Sequence, residues 1–247
     1  MPKNTLIRVF CKKLWRGNLH SDMINLPMHW SIFHFCLFLG LILSASYFSV
    51  KKSKQEYTLI HQVVFAVLLT TVASEIIWQS AMASISESFL LYNVLFVYLR
   101  IALMLTLIYF LPFSCAIQNK IILSVAIFLV AGFINSIWIQ PLETGIQSYT
   151  QMFGNSIILL FSLIFFKDIF RQNRFKNTNL LSLPYFWIAT FILFSYGESF
   201  IFYFFSTIFF PVHLNNLGFV QMFVQFFAGL MFLVFGVAFY IPEVFKK

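Results

Sequence analysis

The chain has 247 residues, 60% of them hydrophobic and only 10% charged, with 16 Lys or Arg against 8 Asp or Glu and a net charge of +8. A soluble domain carries roughly 25% charged residues, so folding this chain in water would leave large apolar areas uncovered. Composition thus excludes an ordinary soluble domain and points to lipid as the outer solvent. The basic excess does not indicate nucleic acid, because Lys and Arg fall in short clusters between apolar runs, where membrane topology explains them. Cys11, Cys36 and Cys115 are odd in number and widely spaced, so neither a disulfide framework nor a metal set follows from them.

Crossing hydrocarbon takes about 20 apolar residues in a helix, which rises about 1.5 Å per residue and bonds every backbone amide internally. In chain order, a basic tail over 1–28 comes first, with Lys3, Arg8, Lys12, Lys13 and Arg16. Seven stretches then qualify as spans, near 29–50, 57–79, 89–112, 120–140, 149–169, 183–208 and 217–242, and a stub over 243–247 remains. The expected fold is therefore all-α, a polytopic transmembrane bundle of about seven helices. The links between the spans are short and polar, and none has room for a soluble domain.

Orientation follows from Lys and Arg in short loops, which tend to stay cytoplasmic. Lys51, Lys52 and Lys54, then Lys120, then Lys167, Arg171, Arg174 and Lys176, and finally Lys246 and Lys247 all fall on one side of a seven-span topology. The links on the other side hold Glu87 and Glu143 and neither Lys nor Arg. This asymmetry predicts a cytoplasmic C-terminus and an outer N-terminus. Trp78 and Trp138 at the outer ends of spans two and four suit headgroup depth. The basic tail fits this orientation badly, and three readings of it stay open. Arg8, Lys12 and Arg16 share one helical side while Leu6, Phe10 and Leu14 line another, as in a surface amphipathic helix. Alternatively the chain starts at Met23 or Met28, or the span count is off by one.

Ionisable groups inside hydrocarbon cost several kcal/mol, so each needs a partner or a purpose. Glu75, Arg100 and Glu198 lie within spans two, three and six. Arg100 is roughly 15–18 Å below the outer end of its helix, Glu198 roughly 15 Å and Glu75 about 6 Å. Arg100 and Glu198 are thus expected to pair, as a guanidinium and a carboxylate at equal depth. Asn93, Asn135, Gln151, Asn155, Gln221 and Gln225 also fall in the outer halves, and Tyr196 sits two residues before Glu198. Together these predict a polar cluster of Glu75, Asn93, Arg100, Asn135, Asn155, Tyr196, Glu198, Gln221 and Gln225, lining a cavity open to the outside. The bland alternative is that the same groups hold the bundle together by interhelical hydrogen bonds.

Known chemistries are not found. The last span has no lysine for a retinal Schiff base, and there is no His-Glu-x-x-His motif, P-loop or Gly-x-Ser-x-Gly elbow. His34 and His61 read as interfacial residues near opposite faces, and Ser74 beside Glu75 reads as a chance neighbour rather than a nucleophile. No Gly-rich filter, row of intramembrane acids or inverted repeat suggests a standard channel or transporter. The expectation is a protein without cofactor or metal and not an enzyme.

The stretch Leu183-Pro184-Tyr185-Phe186-Trp187-Ile188 followed by Tyr196-Gly197, with Leu91-Tyr92-Asn93 and Phe165-Phe166-Lys167, resembles small uncharacterised bacterial seven-helix inner-membrane proteins. That resemblance implies a bacterial inner membrane and no particular activity. The resembling proteins carry an acidic residue after the Asn of helix three, where this chain has Val97, Tyr98, Leu99 and Arg100. The leading functional expectation is a sensor- or receptor-like module with an outer polar cavity. Its basic link over 167–176 would face a cytoplasmic protein partner or anionic headgroups. The alternatives are a small transporter or channel subunit holding an anionic substrate on Arg100, or a structural subunit of a membrane complex.

Overall fold

The computed structural model describes residues 31–50, 57–80, 85–143, 145–171, 179–208 and 217–244. The basic tail, the first link with its lysines, Arg174, Lys176, the C-terminal lysines and the side chain of Gln221 lie outside the described residues. Within them the fold is all-helical, with seven long helices. α1 is Ile32–Val50, α2 Thr58–Ser80, α4 Cys115–Trp138, α5 Ser148–Arg171, α6 Pro184–Ile208 and α7 Leu217–Val237. α3 is one continuous rod built of three segments, Ile85–Tyr92, Asn93–Leu99 and Arg100–Tyr109, the middle one wound as a π-helix.

Six of the seven helices are long and apolar enough to cross a membrane. α6 is as long as the others, at 25 residues, but Ser195-Tyr196-Gly197-Glu198-Ser199 dilutes the apolar run over its described part. The expected boundaries hold within a few residues except around the third link. The fourth helix, expected from about residue 120, begins at Cys115, so that Gln118, Asn119 and Lys120 belong to its first two turns. The turn instead falls at Phe110–Ser114, because Pro112 disfavours helical geometry at Leu111. Gln118 Nε2 then donates back to the Tyr109 carbonyl at 3.3 Å.

Side-chain pairings fix the direction of each helix. His34 meets Glu75 while Ser44 meets His61, so α1 and α2 run antiparallel. Tyr98 meets Ser136 and Gln118 meets the end of α3, so α3 and α4 do the same. Asn135 meets Thr150 across α4 and α5, and Phe166 stacks edge-on against Phe186 across α5 and α6. α1 and α7 run parallel, with Phe33 against Phe232 at one end and Tyr47 against Phe239 at the other. The bundle therefore has two distinct ends. One gathers Asn93, Asn135, Gln140 and Gln147; the other exposes Lys120, Lys167 and Arg171. They are called the amide end and the basic end below.

The outer surface is apolar, with Phe35, Ile42, Leu123, Phe133, Phe170 and Phe194 among its exposed side chains. That surface is suited to acyl chains. Inside, Val64, Leu68, Val97, Ile101, Phe128 and Phe235 form part of a continuous packed core. Lipid gives no hydrophobic drive between helices, so contact depends on close packing, and small residues permit the closest approach. α1 and α7 use this device. A Cβ on Gly236 would overlap the Gly40 backbone, and a Cβ on Gly40 would overlap the carbonyl of Phe232. Gly229 continues the seam, where an added Cβ would lie 3.1 Å from Phe33 Cα.

Gly236→Ala should therefore push α1 from α7 and cost about 1–3 kcal/mol, as overpacking does. Gly197→Ala is the matched control, because its Cβ would find Leu159 at an ordinary 3.6 Å. Thermal melts of the two variants in one detergent check this: a clear loss for Gly236→Ala and almost none for Gly197→Ala.

Candidate functional site

The amides expected to line a cavity do something else at the amide end. Asn93 is fully buried on α3, and its Nδ2 donates to the carbonyls of Leu142 and Gly145, each at 2.8 Å. Its Oδ1 accepts the Gln147 backbone N–H at 3.1 Å. The buried side chain of Gln147 donates to the Gln140 carbonyl at 2.7 Å and to Ser136 Oγ at 2.8 Å, and accepts from the Tyr98 hydroxyl at 2.7 Å. Asn135 Nδ2 donates to Thr150 Oγ1 at 2.9 Å, and Gln140 Nε2 to Ser148 Oγ at 3.1 Å. Asn93 thus fastens the link between α4 and α5 to α3, while Asn135 ties the end of α4 to the start of α5 through Thr150 and leaves its buried Oδ1 without a hydrogen bond. A link with this many backbone groups inside a bundle mouth needs such partners.

The π segment explains how α3 reaches this link. Its wider turn, with the Arg100 N–H bonding the Leu95 carbonyl, brings Asn93, Val97 and Ile101 inward on one line while Tyr98 crosses toward α4. Gly132 makes room for that ring, since an added Cβ would sit 2.5 Å from Tyr98 Cε1. Single π turns recur at functional positions. Beside the clamp, between α3 and α4, runs a mostly apolar groove of about 600 Å³ walled by Leu90, Val94, Leu129, Phe133 and Ile137, with Glu143 at its rim.

The charged residues form a second group, and their partners differ from the expected ones. Arg100 and Glu198 do not pair: among the described residues the close contact of an acid with a basic side chain is His34 Nε2 to Glu75 Oε2, at 3.6 Å. Glu198 sits instead on the α6 stripe that carries the exposed Phe194 and Ile201. His34 is held for its role by α1 itself. Its Nδ1 accepts the Ser31 N–H at 3.3 Å and lies 2.9 Å from Ser31 Oγ. With Nδ1 accepting, Nε2 carries the hydrogen and points it at Glu75.

Arg100 stacks its guanidinium 3.6 Å above the Phe96 ring, one turn back on α3. It lies within electrostatic reach of both Glu75 and Tyr196. Yet Arg100 Nε is covered and makes no hydrogen bond, and the buried Tyr196 hydroxyl makes none either. Asn155 Oδ1 is covered and unpaired as well. Asn155 follows Gly154, whose backbone packs on Ile101, so it stands level with Arg100. Two donors and one acceptor without protein partners therefore lie at one depth on α3, α5 and α6.

The remaining expected residues separate. Gln225 is exposed on α7 and joins no cluster. Ser74 donates to the Thr71 carbonyl at 2.8 Å within its own helix, so it is no nucleophile for Glu75. His61 is not interfacial: it is 1% exposed, with Nε2 3.1 Å from Ser44 Oγ and 3.0 Å from the Ser44 carbonyl. Tyr47, Phe48 and Phe239 surround its ring at 4.4–4.8 Å. Sequence reasoning missed Gln147, Gln140 and Tyr98. The available signal was a pair of glutamines flanking Pro141–Gly145, where a tight link needs side-chain donors. Among the described residues no group of three His, Cys, Asp or Glu could hold a metal ion.

Asn93→Ala would leave two carbonyls and one N–H of the link without partners, at a cost of about 1–3 kcal/mol. It should open the link to a Glu-specific protease at the exposed Glu143, giving a cut that wild type resists under the same conditions. Equal cleavage of both proteins would remove the clamp from consideration. No family model, no curated protein and no solved structure matches this chain.

Proposed function

We propose that this is a sensor- or receptor-like multi-pass membrane protein that binds a small anionic ligand at Arg100. In this reading the amide end faces outward and the basic end faces the cytoplasm. The exposed charges of Lys120, Lys167 and Arg171 at one end, against Glu143 at the other, support that orientation. The 167–176 link then offers a basic surface to a cytoplasmic partner or to anionic headgroups.

One observation carries the ligand reading. A guanidinium Nε and a tyrosine hydroxyl, both inside the bundle, have no acceptor from the protein, while Asn155 Oδ1 at the same level has no donor. Buried polar groups left unpaired are costly. A small anion that also carries a hydrogen-bond donor satisfies all three. Glu75 feels the charge of Arg100 and touches His34, so this pair would respond to the charge the ligand brings. The π segment immediately before Arg100 gives α3 a turn that can rewind when the guanidinium is engaged. Asn93 is fully occupied by the α4–α5 link, and so the ligand site is the charged group rather than a general polar cavity. No part of this arrangement assembles a nucleophile and a base, and the proposed action is binding rather than catalysis.

Arg100→Gln tests the reading. The variant should insert and elute like wild type but lose the small anion that native mass spectrometry finds on protein extracted from its own membrane, with affinity reduced about ten- to hundredfold. A variant that fails to assemble would make Arg100 a structural residue and end the proposal. Accumulation of the anion inside sealed vesicles would favour a transporter, whereas changed labelling of Lys167 without uptake would favour a sensor.

A further inference from the structure

His34 is held by both ring nitrogens close to the start of α1. It is the third residue of that helix, about 3 Å along it, and its side chain is 13% exposed, which leaves the ring open to the aqueous phase at the amide end. The Ser31 backbone N–H can only donate, so the Nδ1 that accepts it at 3.3 Å carries no proton and the ring is neutral in this arrangement. Ser31 Oγ lies 2.9 Å from the same nitrogen and can either donate to it or accept from it. A proton arriving at Nδ1 therefore finds an acceptor in place once the hydroxyl turns round. The backbone N–H released by that exchange stands ahead of the first turn of α1, where water can bond it. On the other side of the ring, Nε2 keeps its hydrogen directed at Glu75 Oε2. His34 is thus built to hold a second proton at the cost of one hydroxyl rotation.

Few other ionisable groups surround it. α1 packs on α2 and α7. α2 brings Glu75 here and His61 at its opposite end, and α7 has no ionisable residue over Leu217–Val237. α1 itself adds Cys36, two residues on, and Tyr47 towards its other end. α3 contributes Arg100, whose charge reaches Glu75. With His34 neutral, the Arg100 guanidinium and the Glu75 carboxylate cancel. An anion bound at Arg100 then leaves one negative charge uncompensated inside the bundle, which a low-dielectric interior strongly disfavours. We infer that the anion at Arg100 binds together with a proton, which His34 takes up from the aqueous phase on Nδ1. Guanidinium, bound anion, Glu75 and imidazolium then sum to zero, and no other bond is made or broken. This inference rests on the reading of Arg100 as an anion site, and it makes the ligand an anion–proton pair. By linkage each of the two strengthens binding of the other. The complex holds one proton more than the free protein, so affinity for the anion falls as pH rises.

The test uses the full chain in lipid nanodiscs and two probes of similar size. Glycolate offers a carboxylate to Arg100 and Tyr196 and a hydroxyl that can donate to Asn155, whereas glycine carries a positive charge of its own. Calorimetry in buffers of different ionisation enthalpy counts the protons exchanged on binding. Glycolate should bind wild type with uptake of about one proton, and its affinity should rise up to about tenfold per unit fall in pH where His34 gains the proton. Glu75→Gln removes the negative charge that calls for the proton, so glycolate should then bind without uptake and with a flat pH profile. His34→Gln cannot take the proton and should flatten the profile too, with a loss of affinity that grows towards acid pH. A loss the same at every pH would make His34 structural and overturn the inference. Glycolate bound without proton uptake, or glycine bound in its place, would also overturn it while leaving Arg100 as the binding residue. Binding of neither probe at any pH would remove the Arg100 reading and this inference with it.

Discussion

Hydrocarbon offers no hydrogen bonds, and nearly every feature of this protein follows from where its polar groups find them. The backbone solves the problem by becoming helix throughout the spans. Hydroxyls solve it locally: Thr71, Ser74, Thr106, Ser136, Ser156, Ser162 and Thr190 each donate to a carbonyl three or four residues back. These residues therefore cost little and carry no information about function. The amides cannot bond their own helix in that way, so they reach across to neighbours, and the pattern of reaching organises the amide end.

The two halves of the bundle are joined by different physics. α1 and α7 meet through glycine, with backbone against backbone at Gly40 and Gly236. The α3–α5 half meets through polar side chains, with Asn93, Tyr98 and Gln147 bonding helix to link. Glycine seams depend on shape, and even a methyl group disrupts them. Polar clamps depend on satisfied valence, and a shape-conserving change such as Asn to Leu would break them. α2 is tied to the first half by two histidines of unlike surroundings, His61 wholly inside an aromatic cage and the α1 residue His34 bridging to Glu75.

How much of this was legible in the sequence depends on which coordinate is asked for. Position along each helix was legible, because it is a count of residues multiplied by a fixed rise, and the helix boundaries followed from it within a few residues. Rotation about each helix axis was not. An amphipathic helix reveals its inner face by periodicity, but helices with Phe, Leu and Ile on every side leave the inward direction unmarked. The expected Arg100–Glu198 pair failed for that reason: Glu198 lies on the α6 stripe of the exposed Phe194 and Ile201. The same blindness placed Asn93 at a cavity, where a link of seven residues between Gln140 and Ser148 takes up its bonding capacity. His61 was misread because its nearness to a helix end suggested the interface, whereas Tyr47, Phe48 and Phe239 close over it.

Once the satisfied groups are set aside, buried atoms without a hydrogen bond remain on Arg100, Asn135, Asn155, Tyr196 and Glu198. Arg100, Asn155 and Tyr196 stand at one level, and Glu198 lies on the α6 stripe that carries the exposed Phe194 and Ile201. A chain under no constraint except stability would replace each with an apolar residue, because an unpaired polar group in the bilayer is costly and a leucine there is not. The group at the level of Arg100 is then best explained by a partner that the single chain does not supply, something small enough to enter the bundle. On α6, Tyr196 and Glu198 are two residues apart and so lie on opposite sides of one helix, and a shift of α6 in response to such a partner would be felt on the stripe that carries Glu198.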